Sequence, residues 1–189
     1  SNQPVSDGYK VTFADNTDHL DIPSTTQAGW QIVGTSLGTF AYRVNNSAQT
    51  ELSLLGHLGH TSFRQAGDLY GIILLPETAN GKQIEAARQV LINRGASASA
   101  YAGSLGTAWY NRLDIVEFKH IDTSATTSVS HCWYQNFSLT FFPNLDLSNS
   151  ASFTNAWYKC NSLTSFPALD MSSGGSFSGA WRSCTSLTS

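Results

Sequence analysis

The chain has 189 residues, enough for one ordinary domain or for a small domain joined to a short repeat array. Only 12% of the residues are charged, the formal net charge is -3 and there is no run of Lys or Arg, which excludes an electrostatic nucleic-acid footprint and a polybasic membrane patch. No apolar run is long enough to insert in a bilayer, and the start at Ser1-Asn2-Gln3-Pro4, without an initiator Met or a signal pattern, reads as a processed or excised terminus.

Residues 1–78 read as an antiparallel β-rich attachment module. Tyr9 to Phe13 alternates, and the turn residues Asp15 and Asn16 lead into His19 to Ile22, as a hairpin would, before Pro23 and Ser24 close the run. Further strands are expected at Trp30–Val33, Thr39–Val44 and Glu51–Leu55. Leu69 to Leu75 is almost continuously apolar and ends at Pro76, the pattern of a strand buried on both faces.

The next element is a helix over 81–94. Ile84, Ala87 and Leu91 share one face, Gly95 offers a stop, and Arg88 in the apolar stripe must send its head to water along a buried stem. Placed before a repeat array, residues 79–100 are expected to act as a helical cap.

From about residue 105 to 189 a 24-residue phrase recurs, with Trp109, Trp133, Trp157 and Trp181 as its anchor. In the same register stand Leu139, Leu163 and Leu187, then Phe142 and Phe166, then Leu145 and Leu169, and Cys160 and Cys184. Such units cannot bury their apolar faces singly and must stack. Phe153, Trp157 and Cys160 fall at i, i+4 and i+7, so each copy is expected to contain a short helix with this stripe inward, N-capped from Ser148-Asn149-Ser150 or Gly174-Gly175-Ser176. The segment Leu163 to Asp170 is expected to be a short strand pairing in parallel from copy to copy, limited by Pro167. The fold class is therefore α+β: a β-rich module at 1–78, then a helical cap and a short solenoid of 24-residue coils at 79–189. The three cysteines cannot complete a disulfide framework and are expected as buried free thiols.

The phrase SFTNAWYKCNSLTSFPALDMSS at 152–173 and its continuation SFSGAWRSCTSLTS at 176–189 resemble the BspA-like leucine-rich repeats. Trp157, Cys160, Leu163, Phe166, Pro167, Leu169 and Asp170 carry the resemblance, and copies with Trp and Phe-Pro are similar to those of marine bacteriophage virion proteins. It implies a leucine-rich-repeat solenoid and surface binding, with no catalytic residues to carry over. Arg112 and Asn136 replace the cysteine in the two earliest copies, and Lys119 replaces the proline in the first.

Several constellations could carry chemistry. The tryptophans sit with Phe and Cys in the inward stripe and belong to the core, whereas Tyr110, Tyr134 and Tyr158 each follow a Trp and point about 100° away, as the ligand-binding candidates. Asp122, Asp146 and Asp170 also recur; a calcium ladder would need a cation to offset their repulsion, and turn N–H acceptance is the expected role. His57-x-x-His60 lacks further ligands at useful spacing, and His120 and His131 have no legible partner, so neither a metal nor another cofactor is expected. No nucleophile elbow, P-loop or dinucleotide fingerprint occurs. The sequence therefore points to a non-enzymatic adhesion protein at a cell or virion surface, in the manner of a tail-fibre component, with a glycan or protein receptor as partner. The alternative is a structural subunit of a virion or filament, because the last copy stops at Leu187-Thr188-Ser189 and leaves an edge for another subunit.

Overall fold

A computed structural model describes residues 5–6, 11–13, 20–25, 28–36, 38–45, 49–52, 67–99, 103–119 and 121–188. The fold is mixed α+β. In chain order the elements are β1 (Val5–Ser6), β2 (Val11–Phe13), β3 (Leu20–Thr25), β4 (Gly29–Thr35), β5 (Thr39–Val44), β6 (Gln49–Leu52), β7 (Gly67–Pro76), α1 (Gly81–Asn93), β8 (Gly103–Ser104), β9 (Ile115–Lys119) and β10 (Thr126–Ser128). Six strands form one sheet in the order β1-β2-β7-β4-β5-β9, with every neighbouring pair antiparallel. A second pair, β3 with β6, is antiparallel, and β8 pairs with β10 in parallel.

The expected hairpin between β2 and β3 does not form. β2 lies between β1 and β7, while β3 joins β6 in a different sheet. Nor does Pro23 end its run: β3 continues to Thr25, and the pairing shifts register between Asp21 and Thr25, the kind of irregularity a residue without an N–H requires.

The period-two alternation of the central strands sorts their side chains onto two faces. Trp30 and Ile32 of β4, with Ala41 of β5, pack on Ile84, Ala87 and Leu91 of α1 and on Ala96. Val33, Phe40, Tyr42 and Val44 take the opposite face and join Leu105, Trp109, Ile115 and Phe118 of the first repeat copy. The sheet therefore covers the first copy, and α1 lies in the other cluster, behind the sheet. This corrects the helical cap expected over the repeats. Lys119, where later copies have proline, pairs with Ala41, so β9 adds to the sheet edge with a residue that keeps its N–H. β7 is also less buried than its composition suggests. Ile73 and Leu75 pack toward the helix and Ile72 toward the repeats, but Leu74 is 60% exposed.

α1 forms as its sequence dictates. Asn80 and Gln83 make a reciprocal capping box, with Asn80 Oδ1 accepting from the Gln83 N–H at 3.1 Å and Gln83 Oε1 from the Asn80 N–H at 2.9 Å. Arg88 runs its stem along the apolar face, then donates to Thr39 Oγ1 at 2.7 Å and pairs with Glu85 at 3.1 Å. Gly95, at φ 111°, ends the helix in a conformation that a residue with a Cβ resists.

Among the described residues the copies contain no helix. Two residues in each have positive φ: Thr107, His131, Asn155 and Gly179 in one column, Asn111, Gln135, Lys159 and Ser183 in the other. A left-handed residue every four positions interrupts a right-handed helix and closes tight turns in its place. The backbone bonds divide accordingly. Leu105, Thr107, Trp109 and Asn111 donate to Ser128, Ser130, Cys132 and Tyr134 of the next copy, while Ala108 and Tyr110 donate three residues back. The same division recurs from Val129 to Gln135 and from Phe153 to Lys159. Ser148-Asn149 and Ser172-Ser173 are turns between copies, the second closed by the Gly174 N–H donating to the Met171 carbonyl at 2.9 Å, and neither the 148–150 nor the 174–176 segment caps a helix. The expected strand at Leu163–Asp170 is likewise irregular. Pro143 and Pro167 remove ladder donors there, and copy-to-copy backbone bonds such as Thr140 N to Val116 O are few on that side.

Inside the stack, the indoles of Trp109, Trp133, Trp157 and Trp181 lie nearly parallel, with centroids 5.9, 5.6 and 5.2 Å apart. Phe118, Phe142 and Phe166 stand edge-on to them at 4.7–6.1 Å. Cys160, Leu139, Leu163, Phe142 and Leu145 are buried in the same cluster, and Trp181, Cys184, Leu187, Phe166 and Leu169 pack against it partly buried.

Candidate functional site

The outer side of the turn ribbon carries Tyr110, Tyr134 and Tyr158. Each follows an inward Trp in the ribbon, so the 24-residue period superposes the three rings as it does the three indoles. Their centroids are 4.7 Å apart in both steps, with interplanar angles of 2° and 14°. The rings thus cover one another's faces and present a rim carrying the phenol groups. Burial and the neighbouring Tyr110 and Tyr158 push the Tyr134 hydroxyl pKa up, so it stays protonated and able to donate at neutral pH.

Two features of this edge lie outside the sequence-level candidates. The fourth slot of the tyrosine column is Arg182, whose carbonyl accepts from the Lys159 N–H at 2.9 Å, and the Lys159 ammonium lies 5.5 Å from the Tyr158 ring centroid. Beside the column stand Asn111, Gln135, Lys159 and Ser183, one per copy. Searching for identical residues at the repeat spacing passes over such positions, because here the chemistry enters as a change within a column.

A second row is made of hydroxyls. Ser130 Oγ and Ser152 Oγ are 2.7 Å apart, Thr154 Oγ1 and Ser176 Oγ 2.8 Å, and Ser128 Oγ donates to Ser130 Oγ at 3.3 Å. Its sequence signal is Ser-x-Ser or Ser-x-Thr at 128, 152 and 176. The row ties copy to copy alongside the backbone bridges Ser128 to Ser152 and Ser152 to Ser176.

The aspartates serve turns. Asp122 Oδ1 accepts from the Ser124 N–H and hydroxyl at 3.1 and 2.7 Å, Asp146 Oδ1 from those of Ser148 at 3.1 and 2.6 Å, and Asp170 Oδ1 from the Ser172 N–H at 3.0 Å. These serine bonds hold the Asp146 and Asp170 carboxyls below their usual range, outweighing the repulsion between the two aspartates. No group of three or more metal-ligating side chains occurs among the described residues. His57, His60 and His120 lie outside the described residues, and His131 Nε2 is 3.1 Å from Asn155 Nδ2.

The cysteine column has a specific bonding role. The thiols of Cys160 and Cys184 donate to the carbonyls of Trp133 and Trp157 at 3.1 and 3.0 Å, and the Asn136 amide makes the equivalent bond to Trp109 at 2.7 Å. Burial pushes all three thiol pKa values up, so none is a thiolate nucleophile at neutral pH. In the first copy the slot holds Arg112, which pairs with Asp114 through two 2.7 Å bonds and lies 5.3 Å from the Tyr42 ring. No helix among the described residues is long and apolar enough to cross a membrane.

Comparison with known proteins finds no matching family model, no matching curated protein and no matching solved structure.

Proposed function

We propose that this chain is a non-enzymatic adhesion protein of a cell or virion surface, in which a short leucine-rich-repeat solenoid binds a glycan or protein receptor. The observation that carries the reading is the tyrosine edge: three phenol rims held 4.7 Å apart by a rigid backbone ladder. Contacts that are weak singly add when one repetitive partner meets them all, because the spacing is fixed before binding and little ordering entropy is lost. Tyrosine supplies large amphipathic contact area at low side-chain entropy cost. Between copies the rings cover one another, so along the column recognition falls to the hydroxyls and ring rims.

The test is binding of labelled protein to immobilised polysaccharides and to intact bacterial cells, for the native chain and for Tyr134→Ala and Tyr158→Ala. Each substitution is expected to weaken binding while the far-UV circular dichroism is retained. Unchanged binding in both variants removes the tyrosine edge from the reading, and no binding to either kind of surface removes adhesion itself.

A further inference from the structure

Charge is distributed unevenly around the repeats. Between residues 121 and 188 the only cations are Lys159 and Arg182, and the only carboxylates are Asp122, Asp146 and Asp170. Both cations fall on the tyrosine edge. The carboxylates stand twelve residues after Tyr110, Tyr134 and Tyr158, half of one 24-residue copy further round, and each is engaged by its own serine. Among the described residues Arg43, Arg88, Arg112 and Lys119 pair with carboxylates, whereas Lys159 and Arg182, like Lys82 and Arg94 of the helix segment, have no carboxylate within ion-pair distance. Within residues 121–188, then, both cations stand beside the stacked column of phenols and away from the carboxylates.

We propose that the tyrosine edge binds a linear anionic polysaccharide, one carrying a carboxylate on its sugars, laid along the direction in which the copies stack. This rests on the adhesion reading and names its ligand class. Three properties of the edge converge on it. The ring faces between neighbouring copies are occupied by one another, so along the column the tyrosines offer hydrogen-bonding rims in place of open faces. The 4.7 Å spacing of the phenols is comparable to the advance of one sugar along an extended pyranoside chain, so successive sugars meet successive copies. At the Lys159 and Arg182 end the groups change from neutral donors to cations, and the guanidinium matches a carboxylate in two parallel hydrogen bonds. Asn111 and Gln135, on the same edge, supply amides for ring hydroxyls. Two cations are too few to hold a nucleic acid, whose affinity depends on neutralising many phosphates.

The experiment measures binding of the full chain to immobilised polyuronate, to a neutral β-linked glucan of similar length, to single-stranded DNA and to intact bacterial cells, each over a salt series. Expected is binding to polyuronate that weakens as salt rises and falls about tenfold or more in the Lys159→Glu, Arg182→Glu double variant, with Asp146→Asn unchanged. Equal binding to the neutral glucan or to DNA, or polyuronate binding untouched by the double variant, overturns the inference and leaves adhesion standing. Attachment to cells without binding to any polysaccharide also overturns it, in favour of a protein receptor. Failure on every surface overturns the adhesion reading as well.

Discussion

Arg112 shows how one column position changes its task when its neighbour changes. In later copies the slot holds a small donor to the tryptophan carbonyl one copy back; the first copy instead meets the sheet, and a guanidinium reaches Asp114 and the Tyr42 ring. Both members of the pair are almost wholly buried, so removing Asp114 leaves the Arg112 guanidinium buried without a carboxylate to offset its charge. Asp114→Ala is expected to lower the unfolding free energy by about 3–5 kcal/mol in denaturant titration, while Arg112→Met combined with Asp114→Leu costs much less. Equal losses in the single and double variants would show that the pair itself stabilises the junction. The aspartates of the outer turns make a second test. Serine bonds depress the Asp146 and Asp170 pKa values in the folded chain, so their contribution is present above the unfolded carboxyl range and is lost as pH falls through the lower folded values. Melting temperature should therefore fall on acidification below about pH 4, and less steeply in Asp146→Asn with Asp170→Asn, which keep a turn acceptor but do not titrate. A parallel fall in both proteins would assign acid sensitivity elsewhere.

The turn ribbon is where local sequence preference and observed structure part. An apolar residue at i, i+4 and i+7 satisfies a short helix, and it also satisfies overlapping tight turns that bring the same side chains inward. What separates them is backbone handedness, which side-chain hydrophobicity does not encode. Asn111, Asn155 and Gly179 are residue types that tolerate positive φ, but Gln135, Lys159 and Thr107 in the same columns give no such signal. The 24-residue period and its recurring columns were legible because they depend on spacing alone, whereas the outward direction of the tyrosines was read from the 100° step of a helix that does not form. Strand partners in the N-terminal part were not, since turn residues predict a reversal without saying which strand receives the chain. Gly179 takes the left-handed column at φ 66° without a Cβ, which would otherwise require the end of the Asn155 side chain in the preceding copy to move. Thr107 is the least suited of the left-handed residues, being β-branched at φ 62°. Thr107→Asn is expected to stabilise the chain by about 0.5–1 kcal/mol, read as a small rise in denaturation midpoint, because asparagine relieves the strain and keeps the N–H bonded to Ser130. A loss of stability would mean that the Thr107 side chain contributes more than its backbone costs.

At the scale of the molecule, the sheet and the repeats share one core. A boundary near residue 78 follows from the sequence, since the period is absent before it, yet β9 belongs both to the first copy and to the sheet edge beside β5. Phe118 embodies the join. Its ring lies 6.3 Å from Tyr42, 5.1 Å from Trp109 and 6.1 Å from Trp133, touching sheet, first copy and second copy together. Phe40 adds an edge contact to Trp109 at 5.8 Å. Loss of the repeats would expose the apolar face of the central strands, and loss of the sheet would expose the first indole, so neither part keeps its buried area alone. The chain is therefore expected to unfold as one cooperative unit, with tryptophan fluorescence, to which the four column indoles and Trp30 of the sheet contribute, and the far-UV signal changing at the same denaturant concentration. Phe118→Ala should cost about 3–5 kcal/mol and move both transitions together, the cavity being common to both parts. A sheet signal that persisted after the indole column had melted would instead make residues 1–78 an independent folding unit and β9 a contact formed between finished parts.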